Sequence, residues 1–246
     1  MSSRAPVLAL IGDRYHNADY IRLALGRIFQ ELNVAVDFTI NYEEIGAARL
    51  RDYRVFITFR DGYIWPDGYQ SAVMYPYASF LENRNKWPAE KPVGWITEEQ
   101  GEAIKQFVEA GNGLYAYHNS GYISLYSKNY REVMGGVTLQ HPPLRPFKVK
   151  VVRDHPITQG VQDFMVNDEQ HYLTFDKDPK NIILESENVD GLTHRSYGAK
   201  AIGGWAYDYG KGRVAFTAVG HNIHALWQPE YMKIQKNAIR WLLRMT

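Results

Sequence analysis

The chain has 246 residues, a formal net charge of +1 at pH 7 and no cysteine. The near-neutral charge gives no electrostatic reason to expect nucleic acid or an anionic membrane surface as a partner. The absence of cysteine excludes disulfides, thiolate nucleophiles and cysteine-bound metals. No apolar run approaches the roughly 20 residues of a membrane span, and the apolar run near the amino terminus is too short for a signal peptide. We therefore expect a cytoplasmic protein with a single α/β domain over residues 1–246.

The first sixty residues alternate strand and helix patterns. Apolar runs predict strands at residues 7–11, 35–40 and 54–59. Apolar residues spaced three and four apart predict a helix between the first two strands, capped by Asn17 or Asp19. This order and spacing are typical of right-handed crossovers within a parallel sheet.

Residues 60–92 interrupt this pattern with an aromatic-rich insertion. It carries Trp65, Trp87 and several tyrosines among Gly, Pro, Asp and Asn, without clear periodicity. Long connections of this kind usually carry function. Its aromatic rings are suited to stacking on the apolar faces of a sugar, and equally to building a small core or a subunit contact. Both interpretations stay open, and Trp65 is a candidate sugar contact.

The central strand is predicted at residues 113–117 and ends at His118. Thr97 and Gln100 form a capping-box pattern for the preceding helix, which stops at Gly111. Ligands of open parallel sheets bind outside the carboxyl ends of the strands. His118 is therefore a candidate functional residue, although a structural histidine bonded to the backbone would fit the same position.

The last hundred residues change to an antiparallel pattern. Residues 147–152 alternate as a half-exposed strand does, and residues 201–207 and 213–219 flank a Gly-Lys-Gly turn that predicts a hairpin. An amphipathic helix that starts at Pro229 closes the chain. The sequence thus predicts a mostly parallel α/β sheet with an antiparallel carboxyl-terminal extension.

Four histidines each stand at the end of an apolar extended segment, where a turn begins: His16, His118, His141 and His221. With Asp168 and Glu169 they are suited to a divalent cation such as Zn or Mn. A metal-free site would use the same residues as general acid and base. Their spacing is long-range and lacks a compact motif. The chain has no Gly-rich phosphate loop, so no nucleotide cofactor is expected.

A series of short motifs in the sequence resembles the trehalose-utilisation (ThuA-like) family. The resemblance extends from Val7 to Leu243 and is strongest over residues 113–242, through these segments in order: His118-Asn119-Ser120, Gly135-Gly136, His141-Pro142, His155-Pro156-Ile157-Thr158, Asp168-Glu169-Gln170-His171-Tyr172, Trp205, Tyr209 to Val214, Gly220-His221 and Ala238 to Trp241. It implies a flavodoxin-like fold similar to class I glutamine amidotransferases. Those enzymes carry a cysteine nucleophile at the turn that reads His118-Asn119-Ser120 here, so amidotransferase activity is not carried over.

The resemblance implies a role in disaccharide catabolism through keto sugars. A carbonyl acidifies the neighbouring C–H bond, so a base and a metal or imidazolium would permit isomerisation or elimination. In this hypothesis Glu169 is the base. The full assignment is catalytic Glu169, His118 and Asp168; metal-binding His118, His141 and His221; and substrate-binding His16, Asn119, Ser120, Tyr172, Trp205 and Trp65.

Other classes of function remain open at this point. A carbohydrate-binding or assembly protein without catalysis would keep the aromatic residues but would not need the acid, base and ligand set. Ser120 beside His118 is not in a Gly-x-Ser-x-Gly elbow, which argues against acyl transfer. Flat exposed faces near the insertion or on the terminal helix also make a homo-oligomer an expectation.

Overall fold

A nine-stranded mixed sheet forms the centre of the protein. The structure is a computed structural model that describes residues 5–65, 92–191 and 195–245. Most of the predicted aromatic insertion, residues 66–91, therefore lies outside the described residues. Within the described ranges the longest helices have 15 residues, and none of the helices combines the length and the hydropathy of a membrane span.

Five parallel strands form one half of the sheet. Numbered in chain order, their bounds are Val7–Ile11 (β1), Val36–Thr39 (β2), Val55–Phe59 (β3), Gly113–Tyr117 (β6) and Gly212–Thr217 (β13). Their spatial order is β2-β1-β3-β6-β13, with all neighbours parallel. Every residue of β1, β3 and β6 is buried, because helices cover both faces of this half of the sheet. The predicted parallel sheet is confirmed, with strand ends that differ from the predicted ones by at most two residues.

Four antiparallel strands extend the sheet beyond β13. Their bounds are Arg145–Val151 (β8), Phe164–Asp168 (β9), Ile182–Asn188 (β11) and Lys200–Tyr209 (β12). They continue in the order β12-β11-β8-β9, and β12 and β13 form the predicted hairpin. Two separate two-stranded sheets consist of Tyr63–Ile64 (β4) with Val93–Gly94 (β5), and of Gly136–Gln140 (β7) with Tyr172–Phe175 (β10).

Helices pack on both faces of the sheet. Their bounds are Ala18–Leu32 (α1), Ala47–Leu50 (α2), Glu98–Glu109 (α3), Lys128–Met134 (α4), Ile223–Leu226 (α5) and Pro229–Leu243 (α6). The apolar faces of α1 and α6 join one buried cluster, and those of α3 and α4 join a second cluster on the opposite face. Asn17 caps α1 by accepting from the Asp19 amide, and the predicted capping box of Thr97 and Gln100 is present at α3.

The carboxyl ends of β1, β3, β6 and β13 meet at one edge of the sheet. Because these strands pair in parallel, they all reach this edge in the same direction. His118 begins a 3-10 helix there, His118–Leu125, and has a left-handed backbone conformation with φ of 44°. Such a conformation is uncommon for a non-glycine residue and often marks a functional position. The fold thus brings the strand-end residues of distant sequence segments together.

Candidate functional site

Six titratable side chains meet at this edge of the sheet. Three follow strands of the parallel half: His16, His118 and His221. The other three lie directly next to the ends of β7, β9 and β10: His141, Glu169 and His171. His16, His118 and His171 are buried, and Glu169 is only 9% exposed. The group is therefore largely removed from bulk water. Electrostatic interactions between its members are stronger in this buried environment than they would be in water.

Glu169 is in contact with four of the five histidines. Its Oε2 atom lies 3.0 Å from His221 Nδ1, 3.4 Å from His118 Nε2, 3.5 Å from His141 Nδ1 and 3.6 Å from His171 Nε2. Burial opposes ionisation, but the contacts with His118, His171 and His221 outweigh it and hold the pKa of Glu169 far below its usual range. Glu169 is therefore a weak proton acceptor and well suited to be an anionic ligand.

Backbone and carboxylate partners fix two of the imidazoles. His118 Nδ1 donates to the carbonyl oxygen of Ala218 at 2.7 Å. His16 Nδ1 lies 3.0 and 3.2 Å from the two oxygens of Asp13, whose Oδ2 also accepts from Asn119. A proton on Nδ1 of His118 matches the Ala218 carbonyl and leaves Nε2 as the lone-pair atom of that ring. His16 Nδ1 also lies 2.8 Å from the Asn119 amide nitrogen. Metal-binding histidines are commonly oriented by a second partner of this kind.

Four of the side chains fit a divalent cation. The donor atoms of His16, His118, Glu169 and His221 all lie within 4.8 Å of one another, and imidazole with carboxylate suits Zn or Mn. Buried His118 Nε2 lies 3.4 Å from Glu169 Oε2 and makes no well-oriented hydrogen bond among the described residues. A cation bound there would displace any proton on this nitrogen and bind its lone pair. His16, predicted as a sugar contact, belongs to this set, whereas His141, predicted as a metal ligand, contacts Glu169 but lies outside it.

Close packing at Gly220 keeps His118 in position. A Cβ atom added at Gly220 would lie 2.8 Å from His118 Cβ and 2.9 Å from Phe59 Cζ. We expect Gly220→Ala to lower the free energy of unfolding by about 1–3 kcal/mol, as overpacking does, and to weaken cation binding because His118 must shift. Urea denaturation and metal titration would measure the two effects. Gly26→Ala is the control, because the added Cβ would meet no atom within 4 Å beyond its chain neighbours and its own helix backbone, and it should lower neither stability nor cation affinity. Unchanged cation affinity in a destabilised Gly220→Ala protein would contradict this prediction.

A cavity of about 150 Å³ opens beside the histidine and carboxylate group. Its remaining walls are Asp61, Asn119, Tyr15, Tyr63 and Tyr122. The volume equals roughly five liquid water molecules, so the cavity fits one end of a small polar ligand. Tyrosine rings and hydroxyls on one side and ionisable groups on the other would give such a ligand both stacking and hydrogen-bonding partners.

Asp61 is the carboxyl group of this cavity with a raised pKa. It follows β3, is 3% exposed, and accepts a hydrogen bond of 2.6 Å from the Gly62 amide. Burial, with the nearby charge of Asp13 as the next cause, raises the pKa of Asp61 to about 8. Glu169 and Asp61 thus differ widely in basicity within one cavity, a division of roles that is common in active sites.

Four other predicted site residues lie away from the cavity walls. Asp168 is buried, and its carboxylate accepts from the amides of Glu169, Gly220 and His221 at 2.6–3.0 Å, which holds the two loops together. Three predicted sugar contacts face other surroundings: the Ser120 hydroxyl donates to Tyr117 O, Tyr172 donates to Gly198 O, and buried Trp205 packs on Phe216 and donates to Met134 O.

Trp65 is close to the cavity wall without lining it. Its ring centroid is 6.1 Å from that of Tyr63, which does line the cavity, and the Arg14 guanidinium lies over the Trp65 ring at 4.3 Å. Asp13 and Asp61 were not singled out by the sequence reasoning. The same signal that identified His118 applies to them, because each follows the end of an apolar strand.

The fold and this site together define a class of protein. It is the flavodoxin-like α/β class, with imidazole and carboxylate groups gathered at the carboxyl edge of the sheet. The model of the trehalose-utilisation family (ThuA) matches residues 87–242, more than half of the chain. The chain therefore belongs to this family, which links it to the catabolism of disaccharides. No protein with a curated function matches the sequence.

Solved structures agree with this fold at low sequence identity. A ThuA-like protein from Bacteroides uniformis is 16% identical with a TM-score of 0.65, over 100% of this chain and 95% of that one. A ThuA-like protein from Parabacteroides merdae is 15% identical with a TM-score of 0.62, over 97% and 89%. A β-galactosidase from Rahnella sp. R3 is 13% identical with a TM-score of 0.61, over 99% of this chain and 32% of that one.

Proposed function

We propose that this protein is an enzyme of disaccharide catabolism that acts on a keto sugar. It removes a proton from the carbon next to the carbonyl group, and isomerisation or elimination follows. The observation that carries the proposal is the convergence of His16, His118, His221 and Glu169 beside a cavity that is lined by Asp61 and by all of these residues except the fully buried His118. A carbohydrate-binding protein without catalysis would not need buried groups of such different basicity.

The ligand set supplies the electrostatic part of this chemistry. A divalent cation held by His16, His118, His221 and Glu169 would act as a Lewis acid toward a carbonyl oxygen in the cavity. Asp13 and the Ala218 carbonyl keep the two buried imidazoles in the orientation that presents Nε2. Glu169 is assigned to the ligand set and not to the base, because its contacts with histidines lower its basicity.

Asp61 is assigned the proton transfer. A group with a pKa of about 8 has enough basicity to remove a proton from a carbon acidified by a carbonyl, and it returns the proton readily near neutral pH. Asn119 and the tyrosine hydroxyls of the cavity would hold the sugar hydroxyls. The rings of Tyr15 and Tyr63 offer faces for the apolar side of the sugar.

Proton exchange in heavy water tests this function directly. The purified protein, loaded with Mn²⁺ or Zn²⁺, is incubated in D₂O with 3-keto-trehalose, and the loss of the proton next to the carbonyl is followed by NMR. Exchange or product formation that exceeds the protein-free rate is expected, with trehalose itself as the unreactive control. Binding of the keto sugar by calorimetry without exchange or product under either metal would overturn the proposal in favour of a sugar-binding protein.

A further inference from the structure

We propose that the site holds a second divalent cation, bound by His141, His171 and Glu169, with Glu169 shared between the two positions. This inference rests on the cation that the proposed function places at His16, His118 and His221. It deepens that function, because two adjacent cations are suited to a substrate with two neighbouring oxygen atoms, such as the carbonyl and hydroxyl of an α-hydroxy ketone.

The donor atoms fall into two sets and not into one. His16, His118, Glu169 and His221 form the first set, and His141, Glu169 and His171 form a second one, with all donors of a set within 4.8 Å of one another. Ligands of a single ion have bond lengths of about 2.0–2.2 Å, so opposite ligands are at most about 4.4 Å apart. All six donors would have to form one mutual set if they surrounded one ion. Two sets that share only Glu169 correspond to two ion positions.

His171 provides the independent observation for the second position. Its side chain is 1% exposed, and neither ring nitrogen has a hydrogen-bond partner among the described residues. Burying a polar group without a partner costs stability. The nearest carboxylate oxygen, Glu169 Oε2, lies 3.6 Å from His171 Nε2, and the ring packs between those of His118 at 4.1 Å and His141 at 4.8 Å. A cation beside Glu169 would give the buried His171 Nε2 a direct ligand bond in place of this long contact.

The second position borders the cavity. His141 and His171 both line it, and the His141 side chain is 30% exposed. Three protein ligands leave coordination positions for water or substrate oxygens, as catalytic sites require. A carboxylate that bridges two ions also fits their usual separation of about 3.5–4 Å in two-metal sites. The bound substrate would therefore meet both cations on the same side of the cavity.

Metal stoichiometry tests the second position without an activity assay. The tag-free full-length protein is stripped with chelator, equilibrated with Mn²⁺, freed of unbound metal and analysed by mass spectrometry for bound ions per chain. We expect close to two ions for the wild type and close to one for both His171→Asn and His141→Asn. The second variant changes a partly exposed side chain, so it remains informative if the buried substitution fails to fold. His224→Asn, at an exposed helix position outside the site, should retain two ions.

Electron paramagnetic resonance adds an independent readout. Two Mn²⁺ ions at this separation are expected to give a spin-coupled spectrum in the wild type and an uncoupled spectrum in His141→Asn. One ion per chain, retained in His141→Asn and lost in His16→Asn, would overturn the second position while leaving the proposed function intact. Absence of any bound ion would overturn it as well, and the exchange experiment in D₂O would then decide separately whether proton transfer occurs.

Discussion

Glu169→Gln is expected to lose cation binding and nearly all turnover of a keto sugar. Glutamine keeps the shape of the side chain but removes the negative charge that lies 3.0–3.6 Å from four imidazole rings. Changes in the outer shell of a metal site typically reduce affinity or activity by roughly 10–100-fold, and loss of a direct ligand is expected to exceed this range. Metal titration of the stripped protein and the exchange rate in D₂O measure the two losses.

Glu43→Gln provides the matched control for this substitution. Glu43 is an exposed residue far from the ligand set in the sequence, and the same chemical change there should leave both cation binding and exchange unaffected. A Glu169→Gln protein that folds, binds its cation with wild-type affinity and turns over the substrate would show that Glu169 is not a ligand. Retained cation binding with lost exchange would instead restore Glu169 as the base.

Asp61→Asn should reduce proton transfer by about 10²–10⁴-fold, the usual contribution of a general acid or base. Asparagine still accepts from the Gly62 amide, so the loop should keep its conformation. The content of bound cation should stay unchanged, since Asp61 belongs to neither donor set. Full exchange activity in Asp61→Asn would show that another group carries the proton.

The same variant should change how stability depends on pH. The pKa of Asp61 is about 8 in the folded protein against an ordinary value of 3.8. Between these values the folded state retains a proton that the unfolded state releases, so the contribution of Asp61 to stability falls as pH rises from about 4 to 8. Asparagine does not titrate. The free energy of unfolding of the wild type relative to Asp61→Asn should therefore decrease from pH 5 to pH 8 in urea denaturation of metal-free protein. A difference that is constant with pH would contradict the raised pKa.

The parallel half of the fold follows closely from local sequence patterns. Buried strands such as Val7–Ile11 are continuous apolar runs, and caps such as Asn17 and Thr97 act through hydrogen bonds to residues two or three positions away. Both signals are contained within a few residues and need no knowledge of the tertiary structure. The hairpin of β12 and β13 is predictable for the same reason, because its turn and its pairing are local in sequence.

The site is predictable only in part, because side-chain direction depends on tertiary packing. Strand-end position correctly locates His118, His16 and His221 at one edge, since the ends of parallel strands meet there. It does not reveal that Ser120 turns its hydroxyl back to the Tyr117 carbonyl. It also gives no reason to single out His171, whose position depends on β10 pairing with β7 in a separate small sheet.

The proposed metal ligands come from segments that are far apart in the sequence. His16 follows the first strand and His221 follows the last strand of the large sheet, while Glu169 comes from its antiparallel edge. A cation that contacts all three would bind only a chain in which both ends of the sequence have already docked. Cation binding would then stabilise the complete native state and no partly folded one, in proportion to the logarithm of free metal concentration. The stability of this protein in a cell would then depend on the supply of the proposed cation.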